Sequence, residues 1–506
     1  MNKHTQSLNE KKLFNHIFND RANKRLFWAA VMIYLLYFLG YKYAIAEADF
    51  YADSHSYIFA AVRDMRSYYR PFGYSKYLQI VHDFFSSSYA VVLSQYMVLC
   101  LSTLFCFFSV DFLFPFKNRK LKIFTLCLLV LNPIFLPLAN QIASDTLFTT
   151  LTIVWFTSLL WIIRKPSAWV LVLQLIMLYW VFNVRYTALF YPIVTVVALL
   201  ITHKAGIVYK AIGIAGTLLV IMGAYSAIKS AIYEETGTNV FSGFSGWQMA
   251  NNALYIYHPS SENRIEWATP ELKEFDSIVR YCYAHPSLAL KEGGFRERQE
   301  GKVGTFFLWH KESPLKLYLY LYCRRYRVSY FNAWYALSGM YAEFGKETIM
   351  NNKCDFIKYQ IVPNTLNFVL PHAEALTSNN MPDSSWATIE TRNWFDLRPD
   401  SYKVRYPGLR VAIVKPFPYL IVLVHFLCVA VPALYLFRQR KIYGRWKRDF
   451  VYPVLLWYIC YFGYFAFSVF AAIITLRYML MWFVLGIVIP LSFIDQMFGR
   501  PEEQQD

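Results

Sequence analysis

Long apolar runs, broken by short basic connections, set the pattern of this chain. Runs of roughly 17 to 25 apolar residues, the length a helix needs to cross a bilayer, start near Leu26, Tyr89, Ile123, Thr146, Ala168, Tyr186, Ala211, Pro418, Val451 and Ile473. They predict an all-α polytopic membrane protein with about ten transmembrane helices. Span interiors hold almost no Asp, Glu, Lys or Arg, and His425 is the main titratable group at depth. Residues 1–25 are polar and basic, and the run behind them has no small-residue cleavage site, which predicts an uncleaved first span behind a cytoplasmic N-terminus. The order expected along the chain is a transmembrane module over 26–232, with its first outer loop at 47–88, then an insert over 233–416, C-terminal transmembrane helices over 417–496 and a cytoplasmic tail over 497–506.

The connections at Lys117 to Lys122 (KNRKLK), Arg164 to Lys165, His203 to Lys210 and Arg438 to Arg448 (RQRKIYGRWKR) are basic and alternate with poorer ones. By the positive-inside rule they are cytoplasmic, and both termini lie inside. The segment from Glu47 to about Ser88, the turns at Asp145, Arg185 and before Arg477, and the 233–416 insert then fall on the outer side. Rich in Trp, Tyr and Phe and carrying basic stretches such as YCRRYRVSYFNAW, the insert is expected to be mostly helical and to rest on the membrane with amphipathic helices.

Composition narrows the function. Hydrophobic residues are 57% of the 506 and charged ones 16%, a balance that excludes a water-soluble protein. The net charge of +17 sits in short clusters between apolar runs, so it reports topology rather than nucleic acid, and lipid phosphate stays open as a partner. The eight cysteines have neither CxxC nor zinc spacing. No internal repeat appears, and no Walker A, GxGxxG, HExxH or GxSxG pattern points to a nucleotide-sugar site on the cytoplasmic side.

Titratable groups gather instead where the first span ends, in EADFYADSHSYIFAA (residues 47–61). A helical reading from Asp53 puts Tyr57 one turn along, with Asp53 at the helix start. A capping carboxylate is the plain alternative there, and again at Asp145 in SDTLF. For Arg185 and Arg477 the plain alternative is a side chain snorkelling to headgroups. What sets the four apart is that all fall at the outer ends of different spans. In FSGFSGWQMANNALYIYH (residues 241–258), Trp247 with Asn251 and Asn252 would suit a saccharide, but an amphipathic interfacial helix needs the same residues, and that reading is preferred. For His55 a local hydrogen bond is expected rather than a metal.

Taken in order, DSHSY after the first span, YRPFGYSKYL (Tyr69 to Leu78), ASDTLFTTL, NVRYTALFYP and LRYML resemble the GT-C superfamily of integral-membrane glycosyltransferases, in particular bacterial members related to protein O-mannosyltransferases and lipid A aminoarabinose transferases. The resemblance covers the first 230 or so residues best. It implies a GT-C-like fold in a bacterial cytoplasmic (inner) membrane and transfer of a sugar from a polyprenyl-phosphate carrier to a lipid, glycan or protein acceptor at the outer face. It implies Asp53 as the catalytic group, with Asp49 its competitor in the same loop, and Asp145 at a position that binds substrate or, in some members, a metal. Arg185 and Arg477 match basic positions suited to the carrier phosphate, and Tyr57 and Arg70 join Asp49 as candidate substrate-binding residues. A divalent metal is possible but not required by the sequence.

Elementary chemistry asks for the same groups. A sugar hydroxyl needs a carboxylate to take its proton as it attacks the anomeric carbon, and a departing lipid phosphate is stabilised by fixed guanidinium groups where water is scarce. Two rivals stay open: an O-antigen polymerase or ligase using diphosphate-linked glycans, and a non-catalytic lipid or glycan transporter, which the scarcity of charge within spans disfavours.

Overall fold

A computed structural model describes residues 12–498 except 67, 260–264, 379–388 and 398–403. Residues 1–11 of the expected cytoplasmic N-terminus and 499–506 of the expected tail therefore lie outside the described residues. Within those described, regular structure is helical, with only isolated β-bridges besides. Eight helices are long and apolar enough to cross a membrane: Arg21–Ala44, Ser88–Leu113, Arg119–Asn140, Ser144–Arg164, Ile207–Thr236, Gly408–Tyr443, Arg448–Ala471 and Leu476–Phe498. The protein is a helical polytopic membrane protein. The two other expected spans form shorter apolar helices, Ala168–Val184 and Tyr186–Ile201. The run starting near Ile123 is interrupted, Arg119–Val130 being followed by Phe135–Asn140. Pro133 stands in the gap; it lacks an amide donor and disfavours helical geometry in the residue before it.

The basic connections gather at one end of the bundle. Asp449 meets Arg164, His203 and Lys204 at 3.4, 3.4 and 3.5 Å. Asp495 accepts from the amides of Lys117 and Asn118 at 2.6 and 2.9 Å, and Asp111 pairs with Lys122 and His16, both at 2.7 Å. Asp145 and Arg477 begin the helices that Arg164 and Asp495 end, so they lie at the other end, about 30 Å away by helical rise. If this polarity is the membrane polarity, single cysteines at the exposed positions Ser86 and Glu271 should react with an impermeant thiol reagent in intact cells, and one at Arg119 should not. Labelling at Arg119 alone would reverse the orientation.

Residues 233–416 pack in two ways. Up to about residue 351 they build a core of their own, with Trp247, Phe275, Trp334, Tyr341 and Phe344 buried together with Ala224, Ile228 and Ile232 of the Ile207–Thr236 helix. Gly246 makes this possible, because any side chain there would collide with the Ser338 backbone on the crossing Tyr330–Asn351 helix. Beyond it the chain returns to the bundle, and Phe368, Leu376, Phe395 and Val414 join the core of the spans. Asn364 ties this part down: its amide donates to the carbonyls of Val469 and Ala472 at 2.9 and 2.7 Å and accepts from the Ile474 amide at 3.1 Å. The Leu476 amide bonds to His372 O at 2.8 Å. A returning segment therefore fixes the turn that presents Arg477.

Candidate functional site

Two helix starts side by side place the acidic groups. The Asp49 amide donates to Asn140 O and the Ile142 amide to Asp49 O, both at 2.9 Å, so the chain leaving the first span runs beside the chain entering Ser144–Arg164. Helix Ala52–Val62 follows Tyr51, whose amide donates to Ser54 Oγ at 3.0 Å, while Ser54 Oγ donates to Ile142 O at 2.7 Å. Asp53 is thus the second helical residue, and Asp145 holds the same position behind Ala143. Neither carboxylate caps its helix; both are left for other partners.

Those partners are arginines from three more segments. Arg70 Nη2 is 2.5 Å from Asp53 Oδ1, and Arg477 Nη1 is 3.4 Å from Asp53 Oδ2 and 3.2 Å from Asp145 Oδ2. Arg185 pairs with Asp145 Oδ1. Tyr51 donates its hydroxyl to Asp145 Oδ2 at 3.2 Å and accepts from Arg477 Nη1 at 2.5 Å. The Tyr478 ring lies under both Arg185 and Arg477, with centroid distances of 4.5 and 4.8 Å. Asp53, Tyr57, Arg70, Asp145, Arg185 and Arg477 all line one cavity of about 1030 Å³. Tyr57 donates to Ser144 Oγ at 2.9 Å and braces one helix start against the other.

Asp49 does not join them. It is buried behind the cavity, paired with the fully buried Arg410 and accepting from Asn140 Nδ2 at 2.5 Å. Arg410 also donates to Tyr41 Oη at 3.1 Å and to Ser378 O. This pair welds the returning segment to the end of the first span, so Asp49 has a structural place and no access to a substrate in the cavity. Replacing Arg410 by Met should strand a buried carboxylate and cost about 3–5 kcal/mol of stability, read as a large drop in melting temperature. A loss of turnover at unchanged melting temperature would contradict that role. Trp247 and Asn251 have structural places too. Trp247 is fully buried and stacked on Trp334 at 3.8 Å, and Asn251 spans from Gly304 O to the Leu308 amide; both are core residues of the insert, neither interfacial nor open to a saccharide. Asn252 does line the cavity. His55 stands apart from it, its Nδ1 buried without a hydrogen-bond partner among the described residues.

Three guanidinium groups against two carboxylates leave the cluster with a net positive charge. That donor set suits an anion. It does not suit a divalent cation, which needs several oxygen ligands and negative charge, whereas here both Asp145 oxygens are taken by Arg185, Tyr51 and Arg477. Among the described residues no group of three His, Cys, Asp or Glu comes together elsewhere.

No protein-family model, curated protein or solved structure matches this chain.

The two carboxylates differ in what they can do. Asp145 keeps 3% of its side chain exposed, with both oxygens held, whereas Asp53 keeps 18% and has one oxygen only loosely approached at 3.4 Å. Asp53 is therefore the carboxylate with lone pairs turned to the cavity, and Asp145 the one that orients arginines. Burial pushes the Asp53 carboxyl up, but Arg70, Arg477 and Arg185 together outweigh it and hold its pKa below the ordinary value. It is ionised at neutral pH. Tyr51 and Tyr478 are the site residues that sequence reasoning did not select, although both sit inside stretches it singled out.

Proposed function

We propose that the cavity is the active site of a GT-C-type inverting glycosyltransferase, working at the outer face of a bacterial cytoplasmic membrane on a polyprenyl-phosphate-linked sugar. The observation that carries the proposal is the meeting of Asp53 with Arg70, Arg185 and Arg477 in one cavity at a bundle end. The motif order supports it, and so does the clustering of basic connections at the far end.

In this reaction the acceptor hydroxyl attacks the anomeric carbon from the side opposite the phosphate. Its proton passes to the Asp53 carboxylate, the carbon–oxygen bond to phosphate breaks, and the carrier leaves as a phosphate monoester with one more negative charge than the donor had. The guanidiniums meet that developing charge where water is scarce, which favours the transition state over the ground state. In the resting site Arg70 and Arg477 hold Asp53 as a weak base. An arriving phosphate competes for the same guanidiniums, and as they turn to it Asp53 becomes more basic when the acceptor needs it. Ten membrane crossings, counting the two shorter apolar helices, would place both termini in the cytoplasm.

The test offers the purified protein a panel of polyprenyl-monophosphate and polyprenyl-diphosphate sugars and follows release of free carrier. Release from a monophosphate donor supports the proposal. Release from diphosphate-linked glycans alone would assign the cavity to a polymerase or ligase instead, and release from none would remove the enzymatic reading.

A further inference from the structure

Past the carboxylate–guanidinium cluster the cavity continues along the insert. The Arg70 guanidinium lies over the Phe244 ring at 5.0 Å, and Phe244 faces Trp309 with centroids 6.1 Å apart. Beyond Trp309 the lining runs through Trp334 and Tyr330 to Lys316. Lys316 is only 4% exposed. Its ammonium stands 4.3 Å from the centroid of Trp334, 4.9 Å from Trp247, 5.2 Å from Tyr330 and 5.7 Å from Trp309. It donates one hydrogen bond, 2.5 Å to Tyr330 Oη.

An ammonium has three donors, and among the described residues no carboxylate pairs with this one. Aromatic faces offset part of the cost of burying a cation, but a Met or Leu would fill the same space without that cost. Burial pulls the Lys316 pKa down to about 8, and no charged neighbour contributes. Close by, the buried indole N–H of Trp334 also has no acceptor among the described residues. An ammonium with unused donors thus stands at one end of the cavity, beside the exposed Trp309 ring. The faces of pyranose rings carry C–H groups that stack on such aromatic rings, and a buried ammonium lacking a counter-charge selects for an anionic substituent.

We propose that this end of the cavity is a binding subsite for an acidic saccharide, a pyranose bearing a carboxylate or a phosphate, with Lys316 on the anionic group and the exposed Trp309 ring against the pyranose face. Its assignment as the acceptor site rests on the transferase reading; the binding itself does not.

The experiment uses the purified full chain in detergent, without donor. It titrates tri-galacturonate against neutral galactotriose, and glucose 6-phosphate against glucose, by calorimetry. At pH 7 at least one acidic probe should bind tenfold or more tightly than its neutral counterpart, and the preferred member of the two pairs tells carboxylate from phosphate. The anion favours protonated Lys316, so the preference should fade as pH rises above about 8. Lys316→Met should abolish it, and Lys316→Arg should keep it. Equal binding of acidic and neutral probes by the unmodified protein overturns the subsite, as does a preference that persists in Lys316→Met. If Lys316→Met does not fold, the pH titration of the unmodified protein decides, since a preference unchanged to pH 10 excludes a role for the ammonium. Carrier release in the donor assay without acidic preference here removes only the subsite. Acidic preference without carrier release removes only the transferase.

Discussion

Replacing Asp53 by Asn should lower turnover by roughly two to four orders of magnitude while donor binding survives, as expected when a general base is lost. Asparagine keeps the size of the side chain but cannot take a proton. It also frees Arg70 and Arg477 from a carboxylate they now hold at 2.5 and 3.4 Å, so affinity for a polyprenyl phosphate should stay the same or rise. The pH dependence of kcat/KM carries a linked expectation. That parameter reports the free enzyme, in which the guanidiniums hold the Asp53 pKa below its ordinary value despite burial. A base is lost as pH falls through its pKa, so no acid limb should appear until pH drops below the ordinary aspartate range of about 4. A limb near pH 6 would assign the base elsewhere. Full activity in Asp53→Asn would leave the carboxylate as a structural partner of its arginines.

Arg477→Ala should fail differently, weakening donor binding about 10- to 100-fold and lowering turnover as well, the range expected for charge-assisted hydrogen bonds to phosphate. Arg477 touches both carboxylates and Tyr51. Its removal takes away a phosphate contact and leaves Asp53 and Asp145 with less between them to offset their repulsion. Lysine should rescue only part of this, because an ammonium cannot offer a phosphate the paired, planar donors of a guanidinium. The measurement is donor affinity and single-turnover rate in the same preparation. A fall in rate with unchanged affinity would mean that Arg477 acts on the transition state alone.

Much of the fold was legible because a bilayer restricts the options: an apolar run of sufficient length has to become a helix, and its length can be read directly. The break at Pro133 was the exception, since hydropathy does not register a missing amide donor. At the site, Asp53, Asp145, Arg185 and Arg477 were legible because each is a charge at the end of an apolar run, where charge is costly and therefore informative. Asp49 was as conspicuous in the sequence as Asp53. Its partner Arg410 lies 361 positions away in a region without motifs, and nothing local separates a carboxylate facing a cavity from one locked in a buried pair. Tyr51 and Tyr478 were hidden by abundance, two among 40 tyrosines in a chain whose membrane interfaces use that residue freely. Lys316 sits in PLKLYLYLYCRRY, which reads as an interfacial basic helix. Only the fold, by crossing two helices at Gly246, sets Trp334 beside it and encloses it in rings.

The most direct test of the account is a structure of the protein with a polyprenyl monophosphate bound. The phosphate should sit within hydrogen-bonding distance of at least two of Arg70, Arg185 and Arg477, with the Asp53 carboxylate released from Arg70 and separated from the phosphate by the space the sugar would fill. A phosphate bound at the opposite end of the bundle, among Arg164, His203 and Lys204, with the Asp53–Arg70 pair intact, would contradict it.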